Sequence, residues 1–156
     1  MSFAVADLAY LAGIIDGEGC FLFEPRKREG TQRACLQIRM NDIRVMTWIH
    51  KTFGGQLRKR RPANKNSEHG FLWKMRKHKF LKDLLQNIMP YLITKKLHAH
   101  TVLEFLETFK KGSGNGGYTA EEKTQMDVYS SFLKSMNSRG PGSNEIKANL
   151  YAVSGF

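Results

Sequence analysis

The sequence predicts an α+β domain in the order αββαββα, one antiparallel four-stranded sheet with helices on one face. Three observations predict it. Apolar residues recur at helical spacing over 5–18, 42–53 and 78–111. Apolar and polar residues alternate over 33–40 and again over 71–76, the period of a strand with one buried face. Glycines, a proline and short polar clusters separate these stretches. Two hairpins divided by a helix and followed by helices make an antiparallel sheet covered on one side.

The first helix spans 5–18. Leu8, Leu11, Ile14 and Ile15 supply its apolar surface, and Asp7 stands at the place of an N-cap. Gly17 and Gly19 let the chain leave sharply, with Glu18 held between them. Ala9, Gly13 and Gly17 fall four apart and form a ridge with almost no side chain. A second helix could approach that ridge backbone to backbone. If two copies pair about a two-fold axis, two Glu18 carboxylates meet at the bottom of the interface, and like charges that close need a cation.

Two strands follow, joined by a basic turn over 26–31. On the first, Phe21 and Phe23 face inward and Leu22, Glu24 and Arg26 outward. On the second, Ala34, Leu36, Ile38 and Met40 face inward, with Arg33, Cys35, Gln37 and Arg39 outward. Asp42 then caps a helix carrying Val45, Met46, Ile49 and Phe53, stopped by Gly54 and Gly55. A third strand lies within 54–63, with Leu57 inward and Gln56, Arg58 and Arg60 outward. After a polar loop at 64–67 comes a fourth, with Phe71, Trp73 and Met75 inward and Leu72, Lys74 and Arg76 outward.

A helix over 78–88 ends before Pro90, and another is expected over 94–111. A glycine-rich break at 112–117 precedes a capping box, Thr119 with Glu122, that opens the last helix. From Asn137 the chain turns rich in Ser, Gly, Asn and Pro. The expected organisation is one domain over 1–136 and a poorly ordered tail over 137–156.

Composition narrows the function classes. Twenty-five Lys and Arg against fourteen Asp and Glu leave a formal charge of +11, which points to a polyanionic partner. No long uncharged apolar run is present, so no membrane span is expected, and no secretory leader pattern opens the chain. Cys20 and Cys35 have no CxxC companion, which argues against a zinc ribbon or disulfide framework and for small core thiols in a reducing compartment. The five histidines form no HExxH or His/Cys cluster, and no glycine-rich phosphate loop occurs. Zinc hydrolysis and ATP use are therefore not indicated.

The outward set of the sheet is Arg26, Arg33, Gln37, Arg39, Gln56, Arg58, Arg60, Lys74 and Arg76. Guanidinium and amide side chains at every second position of a twisted ribbon can follow a major groove, Arg pairing with guanine and Gln with adenine. The same set also fits a solvated basic face.

Residues Leu11 to Gly19 read LAGIIDGEG. This string resembles the signature of the LAGLIDADG homing endonucleases, matching at Leu11, Ala12, Gly13, Ile15, Asp16 and Gly19, with Ile14 and Glu18 as conservative replacements. The likeness extends over roughly 7–110 and includes the segment MPYLITKKLHAH. It implies a homodimer, because the chain carries one copy of the motif, with Ala9, Ala12, Gly13, Asp16 and Gly17 at the interface. It further implies two saddle-shaped sheets astride a long, nearly palindromic double-stranded DNA site, cut on both strands to leave short 3′ overhangs. By position in the family pattern, Glu18 binds the metal and Lys95 sits near the cleaved phosphate, with Lys96 as its near rival. The residue ordering water falls on Arg39, or else Gln37 or Asn41, and an arginine there departs from the commoner glutamine. Mg²⁺ is the expected cofactor, with Mn²⁺ as a substitute and Ca²⁺ supporting binding without cleavage. An intron RNA maturase and a non-cleaving, sequence-specific DNA-binding protein of the same fold are the alternatives. The resemblance implies an intracellular protein, in an organelle if encoded by an organellar intron and otherwise in a prokaryotic cytoplasm.

Overall fold

The computed structural model describes residues 3–60, 70–109 and 117–138. Their order is α1 (Val5–Glu18), β1 (Gly19–Arg26), β2 (Thr31–Met40), α2 (Ile43–Phe53), β3 (Gln56–Lys59), β4 (Phe71–Met75), α3 (His78–Ile88), a 3-10 turn (Met89–Tyr91), α4 (Lys96–Thr108) and α5 (Ala120–Asn137). The expected α+β class and αββαββα order hold, and the two further helices expected after α3 are α4 and α5. The expected loop at 64–67, most of the break at 112–117 and the tail beyond Ser138 lie outside the described residues.

The sheet is antiparallel throughout and ordered β1-β2-β4-β3. Phe21 and Phe23 of β1, Ala34, Leu36 and Ile38 of β2, and Trp73 and Met75 of β4 are buried against the helices. From above them come Leu11 and Ile15 of α1, Met46 and Ile49 of α2, Leu81, Leu84 and Leu85 of α3, and Phe105 and Leu106 of α4. This is the alternation read from the sequence, with period two on strands and three to four on helices. At about 25 cal/mol per Å² of apolar surface, this burial is the main source of the domain's stability.

Local chemistry ends the elements. The Asp42 carboxylate accepts from the backbone N–H of Arg44 at 2.8 Å and Val45 at 3.4 Å, and so caps the start of α2. Gly55 has φ +85°, and a Cβ there would stand 2.7 Å from Trp73 Nε1. Only glycine fits the turn that lets the buried indole donate to Gly54 O at 2.7 Å. Thr119 and Glu122 form the expected capping box.

Four boundaries differ from expectation. Ala4, not Asp7, is the N-cap of α1, and no side chain caps it. β3 is shorter than the basic stretch around it, so Arg60 stands just past its end. α4 begins at Lys96 rather than Thr94, because 92–95 form a loop held by Asp16 of α1. Asn137 closes α5 instead of opening a tail, and its Nδ2 donates to Phe21 O at 2.8 Å.

Candidate functional site

α1 divides into two faces. Leu8, Leu11, Ala12 and Ile15 are buried within the chain, whereas Ala9, Gly13 and Gly17 are exposed, flanked by exposed Val5 and Tyr10. A Cβ built on Gly13 or Gly17 would meet nothing within 4 Å. Nothing among the described residues therefore calls for glycine at either position. Gly19 differs, since a Cβ there would lie 2.6 Å from Ile15 O. Ala12 corrects the expected interface: it is fully buried in this chain's own core, one turn from Leu8 and Ile15, and cannot face a partner.

The last turn of α1 sends its two acids in different directions. Glu18 is exposed, and its carboxylate has no hydrogen bond or ion pair among the described residues. Asp16 turns toward the loop before α4. Its Oδ2 accepts from Ile93 N at 2.8 Å and its Oδ1 from Lys95 N at 2.9 Å, while Thr94 Oγ1 donates to Asp16 O at 3.3 Å. An ionised carboxylate receiving backbone N–H groups at a helix start is a strong, charge-assisted anchor. It ties half-buried Lys95 to the end of α1, two residues before Glu18. Asp16 is thus engaged within its own chain. No group of three or more His, Cys, Asp or Glu that could hold a metal ion occurs among the described residues.

Strand register brings the candidates for the water-ordering role to the same end of the sheet. Gly19 pairs with Ile38 and Cys20 with Gln37, so Arg39 and Asn41 emerge beside the end of α1. Arg39 and Asn41 are exposed, but Gln37 is only 6% exposed. Gln37 was expected to point freely outward; it is buried instead, opposite Lys74, whose side chain bridges over β2 to β1.

That bridge is centred on Glu24, a residue to which the sequence assigned no role. Its Oε1 accepts from Lys74 Nζ at 2.8 Å and Arg76 Nη2 at 3.0 Å. Its Oε2 accepts from Arg33 Nη2 at 2.9 Å and lies 2.9 Å from Arg76 Nε. Burial pushes the carboxyl pKa up, but the hydrogen bonds from Lys74, Arg33 and Arg76 outweigh it and hold the group at about 2. Cys35 is sealed beneath, its thiol pushed up to about 11 by burial and by the Glu24 charge. Gln56 Oε1 extends the network by accepting from Arg58 and Arg76, each at 3.4 Å. Three of the nine outward residues are thus held by one anion, an arrangement foreshadowed in the sequence only by a lone acid on a basic face.

The far end of the sheet is also basic. Arg26 pairs with Glu29 at 2.9 Å across the β1–β2 turn, which Gly30 closes with φ +62°. Beneath this hairpin lies a cavity of about 1160 Å³ whose wall includes Arg26, Arg28, Arg33, Arg76, Lys79 and Lys123. Of the histidines, His98 is buried in α4 and His100 is exposed, so they do not share a site. Cys20 and Cys35 are free thiols on neighbouring strands, offset by two positions in register. No helix among the described residues is long and apolar enough to cross a membrane.

A family model described as LAGLIDADG endonuclease matches residues 11–112. No curated protein matches the chain. Among solved structures, the archaeal intron-encoded homing endonuclease I-Vdi141I complexed with DNA is similar at TM-score 0.70 and 15% identity, over 92% of this chain and 93% of that one. The homing endonuclease I-CvuI in complex with its target in the presence of Ca is similar at TM-score 0.58 and 18% identity, over 83% of this chain and 95% of that one. The LAGLIDADG homing endonuclease I-GzeII in complex with its DNA target is similar at TM-score 0.62 and 17% identity, over 95% of this chain but 49% of that one. At these identities the structural likeness shows a shared fold.

Proposed function

The chain belongs to the LAGLIDADG endonuclease family, and from that premise we propose that it is a homodimeric, divalent-metal-dependent homing endonuclease. It makes double-strand breaks with short 3′ overhangs in a long, nearly palindromic DNA site. The observation that carries this reading is the Glu18 carboxylate, unpartnered among the described residues, at the end of an exposed glycine ridge that none of those residues requires.

Ridges of two copies pair through Ala9, Gly13 and Gly17 and bring two Glu18 side chains together. Among the described residues no three such ligands gather into a metal cage, whereas two Glu18 carboxylates with phosphate oxygens give a hard oxygen set suited to Mg²⁺ or Mn²⁺. When bound, such a cation supplies positive charge to the departing 3′ oxygen and acidifies a water molecule. Lys95, held at the end of α1 by Asp16, stabilises charge that builds on the reacting phosphate. Arg39, exposed at the same end of the sheet, orients water or phosphate there. That I-CvuI is described with Ca and its target supports the divalent-ion reading. That I-GzeII spans about twice this chain's match supports two such units per working enzyme.

The outer sheet face, with Arg26, Arg33, Gln56, Arg58, Lys74 and Arg76, lies along the DNA. At about 3.3 Å per residue, the eight residues of β1 carry the chain about 26 Å from Glu18 to the basic hairpin. That is roughly eight base pairs at about 3.4 Å each. A dimer therefore reads about sixteen pairs, and two-fold symmetry makes the site nearly palindromic.

The test is cleavage of a randomised palindromic duplex library with Mg²⁺, in parallel with Ca²⁺ and with Glu18→Gln. The expected result is 3′-overhang breaks that require Mg²⁺, while Ca²⁺ and the variant retain DNA without cutting. Selective retention with no cleavage under any metal would overturn the nuclease reading in favour of a DNA-binding protein. Retention of intron RNA alone would favour the maturase.

A further inference from the structure

We propose that Glu24 is a positioning residue that decides which DNA sequences the outer sheet face selects; this rests on the DNA-binding reading above. A carboxylate amid cations that face a polyanion costs affinity, since it repels phosphate and neutralises part of the basic face. Its position therefore needs a reason beyond charge.

Glu24 does not itself contact a base. Its Oε1 accepts from Lys74 and Arg76, and its Oε2 accepts from Arg33 and lies 2.9 Å from Arg76 Nε, so cations of its own chain engage both oxygens. The donors it leaves free are the useful ones. Arg33 has a buried Nε and commits one Nη2 hydrogen, which leaves its other Nη hydrogens. Lys74 commits one of three N–H groups; Arg76 gives Nη2 to Glu24 and Nη1 to Gln56 and keeps the second hydrogen on each. Three long side chains from β2 and β4 are thus fixed in one arrangement while spare donors remain for acceptors on base edges. The arrangement reaches β3 through Arg76 and Gln56, which also receives Arg58.

Without the carboxylate, the same cations would be mobile and would seek the strongest nearby anion, which on any duplex is phosphate. Phosphate contacts carry no sequence information, whereas donors held toward base edges do. Glu24 lowers affinity for wrong sequences more than for the right one, and specificity is that difference.

The experiment measures binding of the chain to its selected duplex and to a random duplex in Ca²⁺ over a range of salt, for wild type, Glu24→Gln and Glu24→Asp. Circular dichroism checks folding of each variant at the assay temperature. Glu24→Gln is expected to lower the selected-over-random ratio about tenfold, chiefly by tightening random binding. Its slope of log K against log salt on random DNA is expected to steepen by about one to two, as one or two freed cations take phosphates. Glu24→Asp keeps the charge but is one methylene shorter and should recover part of the ratio. It also decides the matter if Glu24→Gln is unfolded, because Asp cannot reach all three cations and must still lose selectivity.

An unchanged ratio and slope in a folded variant would overturn the inference and leave Glu24 as a cover over Cys35. A wild type that selects DNA while both variants match it would sink this inference alone. A wild type with no DNA preference would sink the parent reading as well.

Discussion

Replacing Gly13 by alanine should act in opposite directions on the single chain and on the proposed dimer. Within the chain a Cβ at position 13 meets nothing within 4 Å, so the change only removes glycine's excess backbone freedom from the middle of α1. That stabilises the monomer by about 0.5–1 kcal/mol. In a dimer packed along the ridge, the added methyl enters the contact twice. Overpacking costs about 1–3 kcal/mol per insertion, hence about 2–6 kcal/mol per dimer. At about 1.4 kcal/mol per factor of ten, the dimer dissociation constant should rise roughly 30-fold to 10⁴-fold. Sedimentation equilibrium over a concentration series measures the association, and thermal unfolding at concentrations where both proteins are monomeric measures the other effect. Unchanged or tighter association of the variant would refute the ridge as a contact. A destabilised monomer would refute the claim that nothing in the chain needs glycine there.

Asp16→Ala removes the acceptor of the Ile93 and Lys95 N–H groups and should cost about 1–3 kcal/mol of stability, read as a lowered urea midpoint. The same change should depress DNA cleavage more than DNA binding, because Lys95 loses its anchor; full cleavage by the variant would contradict that role. Glu24 titrates at about 2 in the folded chain against an ordinary 4.5, and its side chain is only 18% exposed. A depressed carboxyl pKa contributes stability that is fully present above the unfolded value and lost as pH falls through the folded one. Up to about 3 kcal/mol should therefore disappear between about pH 4.5 and 2, and Glu24→Gln should flatten that part of the stability profile. Equal slopes for the two proteins would remove Glu24 as the cause. Gly55→Ala should destabilise more than Gly54→Ala. Both glycines have positive φ, but only the Cβ at 55 would strike Trp73. Equal melting temperatures for the two variants would contradict the steric account.

The residues that alternate or recur every three to four positions were legible in the sequence, because burial of one face is a local pattern. Phe21, Phe23, Leu36, Ile38 and Trp73 fell inward as read, and α3 began and ended where its apolar stripe and Pro90 put it. The motif string misled at Ala12. Its spacing from Leu8 and Ile15 places it on the core stripe, yet its membership of LAGIIDGEG suggested an interface. Two features depended on chain distance that no local pattern encodes. Asp16 meets Lys95 across 79 positions, which displaces the start of α4 to Lys96. The Glu24 cluster exists because β4 lies beside β2, with β3 outermost. Glu24 lies opposite Arg33 in the hairpin, whereas Lys74 and Arg76 become its neighbours only through that strand order.

Each chain ends α1 with one Glu18 and, in the proposed dimer, would carry half of the reading surface. In the proposed enzyme a protomer alone is inert, so the amount of working enzyme follows the square of chain concentration below the dissociation constant and becomes linear only above it. Halving expression in that range removes three quarters of the cutting. In that dimer the exposed ridge of α1 would act as a dosage threshold, silent when few chains are present and abrupt once they are abundant.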